Sequence, residues 1–196
     1  MKIGIFGKSG SGKSTVAGFF EKIGFFVIDL DVVGKEVLNK YPEILKHISE
    51  SFGQEFVVNG VLDRKKLGSV VFSDENKLNL LNSIFFEYIR KDTLKIMKTQ
   101  DKCVIDGAVL IDIGLQKYLD CVIYVKTSRD IAIERLTNRE HRPETELSMR
   151  LDSQTKYDKQ AEYADFIIET DNDPSNLKKS ISDIFSTLKI QHGNSI

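Results

Sequence analysis

The chain contains 196 residues, of which 41% are hydrophobic and 29% are charged, with only three prolines. This composition is ordinary for a globular protein and excludes the collagen-like, low-complexity and disordered classes. The formal net charge of −1 gives no field of one sign over the whole molecule, which argues against nucleic-acid binding. No apolar run approaches the roughly 18–20 residues that a membrane helix needs. We therefore expect a cytoplasmic protein without membrane contact.

Short apolar runs alternate along the chain with longer amphipathic stretches. The apolar runs predict strands at 2–6, 25–28, 102–106, 121–125 and 166–168. The amphipathic stretches predict helices after Gly12, Asp31 and Ser128, around 147–151, and at 43–51, 64–72, 74–84, 85–98 and 175–189. Nearly continuous apolar strands separated by helices are typical of a parallel sheet covered on both faces. The sequence therefore predicts an α/β fold with a five-stranded parallel sheet and helices on both faces.

Turn and cap signals mark the region between the second and third of these strands. The Asn59-Gly60 pair, with valines on either side, predicts a tight turn. Asp63 and Ser73 precede amphipathic stretches and are predicted to cap the helices that follow them.

Residues 7–15 read Gly-Lys-Ser-Gly-Ser-Gly-Lys-Ser-Thr and contain the pattern G-x-x-x-x-G-K-S between a strand and a helix. The glycines let such a loop fold closely round a phosphate with its N–H groups inward, and the helix adds the positive end of its dipole. Lys13 supplies a mobile charge for the β and γ phosphates, and the Ser14 hydroxyl is a direct Mg²⁺ ligand. We expect a nucleoside triphosphate to bind at Gly10, Ser11, Gly12, Lys13, Ser14 and Thr15.

The residues after the later strands narrow the class of nucleotide-binding protein. A GTPase would carry a guanine-reading NKxD-type segment after a late strand, but residues 126–130 read Lys-Thr-Ser-Arg-Asp. Motor and helicase ATPases are larger and often pair two acids at the end of the magnesium-binding strand, but Gly107 follows Asp106. The short chain and its early phosphate loop favour a small-molecule kinase.

Three acids lie where predicted strands end. Asp29 and Asp31 follow the second strand, at the sheet edge where parallel α/β proteins bind ligands. Either carboxylate could accept the proton of an attacking hydroxyl, and Asp31 could instead cap the next helix. Asp106 ends the third strand, where it could hold Mg²⁺ through water or could serve as a cap or turn residue.

Arginines are concentrated after the fourth strand, in the region where small kinases carry a mobile lid. Arginine forks stabilise the charge that spreads over a transferring phosphoryl group. Arg139 is the preferred catalytic arginine, with Arg135 second and Arg142 third. Because glutamates are interleaved with these arginines, a solvated helix face accounts for most of the remaining positive charge.

Over about residues 1–190 the chain resembles the dephospho-CoA kinase family. The family opening G-G-I-G-S-G-K-S-T is similar to residues 7–15, and its V-I-D-A-D is similar to residues 27–31. The family patterns L-D-R-x-x-L, R-L-x-x-R and R-x-x-x-Q follow in order at 62–67, 135–139 and 150–154. A phosphate loop alone marks only a superfamily, so the resemblance is carried by these motifs in combination.

Three segments depart from the family pattern. Lys8-Ser9 replaces the usual Gly-Ile inside the phosphate loop, and Phe86-Glu87 stands where the family has His-Pro. Residues 106–112 read D-G-A-V-L-I-D in place of the family pattern D-x-P-L-L-F-E.

The resemblance implies a single P-loop kinase domain over 1–196. Its core is expected at about 1–31, 99–136 and 164–190, with a helical acceptor-binding region at about 32–98 and a lid at about 137–155. It also implies Asp31 as the catalytic base, with Lys13 and Arg139 acting on the phosphoryl group.

The implied reaction uses ATP and Mg²⁺ and phosphorylates the ribose 3′-hydroxyl of dephospho-CoA, in a monomer or weak oligomer. Two alternatives stay open. One is a kinase of another small acceptor, such as a nucleoside monophosphate. The other is an ATP-binding module with weakened catalysis, which the departures at Phe86-Glu87 and Ala108 suggest.

Overall fold

A computed structural model of the protein describes residues 1–71, 73–171 and 174–191. In this part of the chain the strands are β1 (Lys2–Phe6), β2 (Phe26–Asp29), β3 (Val57–Val58), β4 (Val61–Leu62), β5 (Cys103–Asp106), β6 (Cys121–Lys126) and β7 (Phe166–Glu169). The helices are α1 (Lys13–Lys22), α2 (Leu30–Lys40), α3 (Glu43–Phe52), α4 (Arg64–Val71), α5 (Glu75–Lys98), α6 (Arg129–Glu140), α7 (Glu144–Asp152), α8 (Lys156–Gln160) and α9 (Pro174–Gln191).

Five strands form one parallel sheet in the order β2-β5-β1-β6-β7. The central strand β1 lies between β5 and β6. The chain runs from β1 to β2 on one side of it, and later from β5 across β1 to β6 on the other side, so the strand order reverses next to β1. This is the point at which open α/β sheets bind ligands, beyond the carboxyl ends of the strands. The predicted five-stranded parallel sheet is confirmed.

One compact unit comprises Met1–Leu30 and the chain from Met97 onward. Its core lies between the sheet and helices α1 and α9, and contains Ile3, Ile5, Val16, Phe20, Val104, Ile123, Val125, Ile168, Ile181 and Leu188. The other face of β1 is covered by the segment after β5, because a Cβ atom at Gly4 would meet Leu110 and Leu119. Because both faces of the apolar strands are covered, the sheet is buried from water. Polar residues that could bind a ligand therefore lie at the carboxyl ends of its strands.

The second compact unit comprises Asp31–Ile96 and contains α3, α4, most of α2 and α5, and a two-stranded hairpin of β3 and β4. Asn59 and Gly60 connect the hairpin with φ angles of 51° and 75°. Two successive positive φ values are those of a type I′ turn, so the predicted turn is confirmed. Asp63 caps α4 as predicted, since its Oδ1 accepts a hydrogen bond from Lys66 N at 2.9 Å.

The stretch from 74 to 98 differs from its prediction as two helices. It forms the single helix α5 (Glu75–Lys98) because neither glycine nor proline interrupts it. Its cap is Asp74 rather than Ser73, since Asp74 Oδ1 accepts hydrogen bonds from Asn76 N and Lys77 N at 3.0 and 3.2 Å. In the described part of the chain, no helix combines the length and apolarity that crossing a membrane would require.

Candidate active site

The phosphate loop connects β1 to α1 and depends on glycine at two close approaches. Gly7 has φ 152°, and a Cβ atom there would lie 2.1 Å from the Val125 carbonyl oxygen at the end of β6. Gly10 has φ 75°, and a Cβ atom there would lie 2.7 Å from the carbonyl oxygen of Ala132 in α6. Only glycine satisfies both the positive φ values and the contacts. The loop is therefore packed between β6 and α6 at the carboxyl edge of the sheet.

Lys13 begins α1, so its side chain leaves the loop at the positive end of the helix dipole. Its Nζ donates a hydrogen bond to the Lys8 carbonyl oxygen at 2.9 Å. Ser11 is buried within the loop, and its Oγ has no hydrogen-bond partner among the described residues. A buried hydroxyl without a partner is costly, and a phosphate oxygen would supply the missing acceptor.

Ser14 and Asp106 bring two hard oxygen atoms together next to Lys13. Ser14 Oγ donates a hydrogen bond to Asp106 Oδ2 at 2.7 Å, and Asp106 is only 6% exposed at the end of β5. Asp29 ends β2 at the matching register position beside Asp106. The alternative role of Asp106 as a helix cap does not apply, because a turn rather than a helix follows it.

A cavity of about 190 Å³ opens over the phosphate loop. It is lined by Gly10, Gly12, Lys13, Ser14, Thr15, Arg135, Leu136 and Arg139. The structure thus brings the expected phosphate-binding residues together with two of the three candidate arginines. Ser11 is in the same loop but does not line the cavity.

Arg135 of α6 connects the phosphate loop to the end of β7. Its Nη1 donates to Thr170 Oγ1 at 2.8 Å and to the Gly10 carbonyl oxygen at 3.3 Å, while its Nη2 donates to the Thr170 carbonyl oxygen at 2.7 Å. Thr170 Oγ1 in turn donates to the Ser11 carbonyl oxygen at 2.8 Å. Arg135 is therefore held by partners in the phosphate loop and at the end of β7.

Arg139 lies one turn further along α6 and is held less firmly. Its Nη2 donates to Glu140 Oε1 at 2.5 Å, and Arg150 Nη1 binds the other oxygen of Glu140 at 2.9 Å. The hydrogen bond from Arg139, with the nearby Arg150, lowers the pKa of Glu140 in spite of its partial burial. Arg142 is paired with Glu146 at 2.5 Å and does not line the cavity.

Lys8 and Ser9, the residues that replace the family's Gly-Ile, are bound by the chain that follows α7. Lys8 Nζ lies 2.5 Å from Asp158 Oδ2. Ser9 N donates to Gln154 Oε1 at 2.8 Å, and Gln154 Nε2 donates to Ser9 Oγ at 3.1 Å. These contacts hold Lys8 and Ser9 of the phosphate loop against the chain that follows α7.

Asp31 belongs to the second unit and lies in the first turn of α2, with its side chain exposed. Because α2 begins at Leu30, Asp31 is inside the helix rather than at the N-cap position that sequence reasoning allowed. Its exposure at the start of a helix leaves the carboxylate accessible to a ligand.

Three polar residues of the site escaped sequence reasoning: Thr170, Asp158 and Glu140. Thr170 directly follows β7, so the strand-end rule that identified Asp106 was a signal for it. Asp158 and Glu140 carry no motif, and only their contacts with Lys8 and Arg139 reveal them.

This fold and this site define a P-loop kinase. The family model for dephospho-CoA kinase matches residues 1–176, so the chain belongs to the dephospho-CoA kinase family. The resemblance read from the sequence motifs is confirmed.

Individual relatives agree with this assignment. The dephospho-CoA kinase of Clostridium tetani is 33% identical over 192 residues, which cover 94% of this chain and 85% of that protein. The dephospho-CoA kinase of Clostridium perfringens is 30% identical over 190 residues, with coverage of 94% and 96%.

Among solved structures, TT1252 from Thermus thermophilus is similar with a TM-score of 0.78 and 25% identity, covering 96% of this chain and 97% of that one. Shikimate kinase from Bacteroides thetaiotaomicron has a TM-score of 0.61 at 15% identity, covering 96% and 98%, and shares the fold.

Proposed function

We propose that this protein transfers the γ-phosphate of ATP to the ribose 3′-hydroxyl of dephospho-CoA, giving CoA and ADP. The observation that carries the proposal is the cavity over the phosphate loop, which joins Lys13 and Ser14 to Arg135 and Arg139. Three cationic side chains that line one cavity suit a phosphoryl group whose charge is spread over three oxygens. The identity of the acceptor is inferred from family membership, since the relatives at 30–33% identity are named dephospho-CoA kinase.

The loop binds the triphosphate and Lys13 moves onto its β and γ phosphates. Loop N–H groups and the α1 dipole stabilise the anion, and the unpartnered Ser11 hydroxyl provides one further donor. Lys13 exchanges the Lys8 carbonyl oxygen, its partner at 2.9 Å, for phosphate oxygens. Thr15 is exposed on the first turn of α1 and is available to the α-phosphate.

The donor set at Ser14 and Asp106 fits Mg²⁺. Two oxygen atoms lie 2.7 Å apart, and Mg²⁺ in kinases takes few protein oxygens and completes its shell with phosphate and water. Ser14 would bind the ion directly, and the Asp106 carboxylate would hold one of its waters. Bound there, Mg²⁺ would neutralise charge on the phosphates.

Asp31 accepts the proton of the attacking hydroxyl, and Arg139 binds the transferring group. To bind the phosphoryl group, Arg139 must leave its ion pair with Glu140. Such a change of partner suits a residue that acts only when nucleotide is bound. The segment at about 137–155, from the last turn of α6 through α7, acts as the lid. Exclusion of water by a lid favours transfer over hydrolysis of ATP.

The proposal is tested by ADP release from ATP and Mg²⁺ with dephospho-CoA, AMP or CMP as acceptor, and with Lys13→Ala as the blank. We expect turnover with dephospho-CoA only. Turnover with AMP or CMP alone would favour a nucleoside monophosphate kinase instead. Nucleotide binding without turnover on any acceptor would indicate the weakened ATP-binding module.

The base assignment has its own test in Asp31→Asn, with Asp29→Asn as the matched control. Asn has nearly the same shape as Asp but cannot take the proton, so we expect kcat to fall roughly 10²-fold or more. A near-normal kcat for Asp31→Asn would contradict the assignment.

A further inference from the structure

Glu140 ends α6, and its carboxylate is bound by two arginines from different helices. Arg139 of α6 donates through Nη2 to Oε1 at 2.5 Å. Arg150 of α7 donates through Nη1 to both oxygens, at 3.1 and 2.9 Å. The Glu140 side chain is 19% exposed, against 62% for Arg139 and 44% for Arg150. The carboxylate is therefore the covered centre of this cluster, and Arg139 is its most accessible member.

Helix geometry does not account for the pair of Arg139 and Glu140. Adjacent residues on a helix do not face each other, and side-chain pairs form at spacings of three or four. The neighbouring pair of Arg142 and Glu146 has that spacing. Among the described residues, Glu140 is the only side-chain partner of Arg139 and of Arg150. The cluster is therefore a tertiary feature that joins α6 to α7.

Arg150 lies on a segment that is itself bound to the phosphate loop. Gln154 follows Arg150 by four residues, and its Oε1 accepts a hydrogen bond from Ser9 N at 2.8 Å. Gln154 Nε2 also donates to Ser9 Oγ at 3.1 Å. These contacts hold the end of α7 against the loop. Arg150 therefore has a fixed base from which to bind Glu140.

Arg139 has a different environment, because it alone of the three residues lines the cavity over the phosphate loop. It has one hydrogen bond to Glu140, whereas Arg150 has two. If Arg139 turns to a phosphate in the cavity, Arg150 still neutralises the partly buried carboxylate, so no unpaired charge is left behind. Arg139 is therefore the exchangeable partner of Glu140, and Arg150 is the permanent one.

Glu140 is an anion at neutral pH. The hydrogen bond from Arg139 lowers the pKa of its carboxyl, Arg150 lowers it further, and together they outweigh burial. A phosphate that reaches the cavity must therefore compete with a charged carboxylate for Arg139. When a binding residue is held elsewhere for part of the time, the apparent affinity for the ligand falls by the fraction of molecules in which that residue is available.

We propose that Glu140 is a positioning residue that holds Arg139 in a resting position until the γ-phosphate of ATP replaces the carboxylate. The inference rests on the proposed function, in which Arg139 binds the transferring group. Arg150 acts through Glu140, keeping the carboxylate in place after Arg139 has left. Because ADP has no γ-phosphate, it leaves Arg139 with Glu140.

The test measures nucleotide affinity by calorimetry on the full chain with Mg²⁺, using ADP and the β,γ-imido analogue of ATP, without acceptor. Glu140→Gln keeps the shape of the side chain but removes its charge. We expect the Kd of the analogue to fall about two- to fivefold, the range for release of one partly exposed ion pair. The Kd of ADP should not change.

Glu146→Gln is the matched control for loss of a negative charge. Glu146 is paired with Arg142 at 2.5 Å, and neither residue lines the cavity. We expect Glu146→Gln to leave both affinities unchanged. Glu140→Asp provides a second variant, because it keeps the charge but withdraws the carboxylate by one methylene, and it should give part of the same gain.

Double variants show whether Glu140 acts through Arg139. In Arg139→Ala, the further change Glu140→Gln should not alter the Kd of the analogue, since no arginine remains to be released into the cavity. Arg150→Ala should weaken binding of the analogue in the otherwise wild-type protein and have no effect in Glu140→Gln. Thermal unfolding verifies that each variant is folded. A merely structural role for Glu140 would lower the melting temperature without tightening binding.

Three results would overturn the inference. One is an unchanged or higher Kd of the analogue in Glu140→Gln. Another is an equal gain for ADP and the analogue, and the third is the same gain in Arg139→Ala, since both would indicate a general effect of charge. The acceptor takes no part in these measurements. If the predicted shifts occur while dephospho-CoA is not phosphorylated, the role of Glu140 holds and the proposed reaction fails.

Discussion

Lys8 Nζ lies 2.5 Å from Asp158 Oδ2, and the other oxygen of Asp158 accepts a hydrogen bond from Tyr124 at 2.7 Å. Burial alone would raise the pKa of the Asp158 carboxyl, but hydrogen bonds from Lys8 and Tyr124 outweigh burial and lower it. The pair therefore joins the phosphate loop to α8 and β6. The Lys8 ammonium group contacts this carboxylate. The backbone carbonyl oxygen of Lys8 accepts the hydrogen bond from Lys13 Nζ.

Loss of this pair should affect nucleotide binding more than catalysis. We expect Lys8→Ala to raise KM for ATP about two- to fivefold, the range for a partly exposed ion pair, with kcat within twofold. Asp158→Asn should have a similar effect, and the double variant should be little worse than either single variant. The measurement is a double-mutant cycle on KM and kcat. Full additivity of the two single effects would contradict coupling between the residues.

The contact between Ser14 and Asp106 predicts a defect in magnesium dependence. Asp106→Asn keeps the shape of the side chain but weakens its hold on a metal-bound water. We expect the Mg²⁺ concentration for half-maximal activity to rise roughly tenfold or more, as is typical when a partner of a metal ligand is lost. Asp29→Asn, at the matching register position in β2, should leave that concentration unchanged. If activity depends on Mg²⁺ concentration in the same way for Asp106→Asn and wild type, the assignment of Asp106 to the metal site is contradicted.

Arg139 and Arg142 provide a matched pair, since both are exposed arginines in ion pairs with glutamates and both lie in the proposed lid. Only Arg139 lines the cavity over the phosphate loop. We expect Arg139→Ala to lower kcat roughly 10²-fold or more, because arginines that bind a transferring phosphoryl group contribute strongly. Arg142→Ala should keep kcat within twofold, as measured in steady-state assays with saturating acceptor. Similar losses in both variants would mean that the lid arginines act through general charge.

Stability of the second unit should depend on pH through Asp92. This carboxylate is 6% exposed on α5, and it accepts a hydrogen bond from Tyr41 and pairs with Lys40 at 3.2 Å. Burial raises its pKa, but Tyr41 and Lys40 together outweigh burial and hold the pKa below its ordinary value. A lowered folded-state pKa stabilises the fold above the unfolded pKa of about 3.9, and that contribution is lost as pH falls through the folded pKa.

We expect Asp92→Asn to lower the free energy of unfolding by about 1.5–3 kcal/mol at pH 7. The difference from wild type should begin to shrink below about pH 4, where the Asp92 carboxyl of the unfolded chain takes up a proton before that of the folded chain. Urea unfolding at several pH values measures it, with Glu87→Gln as a control for an exposed acid on the same helix. A difference that stays constant down to pH 3 would contradict this account.

The parts of the site that sequence predicted well are those built from contiguous residues. The loop from Gly7 to Thr15 carries its glycines, its lysine and its hydroxyl in one stretch, so their types and spacing define the geometry. The position of Asp106 at a strand end was also predictable, because the short apolar run before it favours a buried strand, which the structure has at Cys103–Asp106. The same reasoning predicted the order of strands and helices.

The parts of the candidate site that the sequence did not predict depend on contacts between segments that are distant in the chain. Arg135 meets Gly10 across 125 residues, and Gln154 meets Ser9 across 145. No local pattern encodes such contacts, because side-chain partners in a folded core are set by packing. For the same reason the sequence predicted Arg139 as an arginine of a lid but could not show that Glu140 pairs with it and with Arg150.

The central claim is that phosphate reaches the ribose 3′-oxygen of dephospho-CoA, and the most direct measurement is phosphorus NMR of the reaction product. With ATP, Mg²⁺ and wild-type protein, we expect one new phosphomonoester signal that couples to the ribose 3′ proton, and none with Lys13→Ala. An acceptor that lacks the 3′-hydroxyl should give no such signal. Release of inorganic phosphate alone, or a phosphate attached at any other position, would contradict the account.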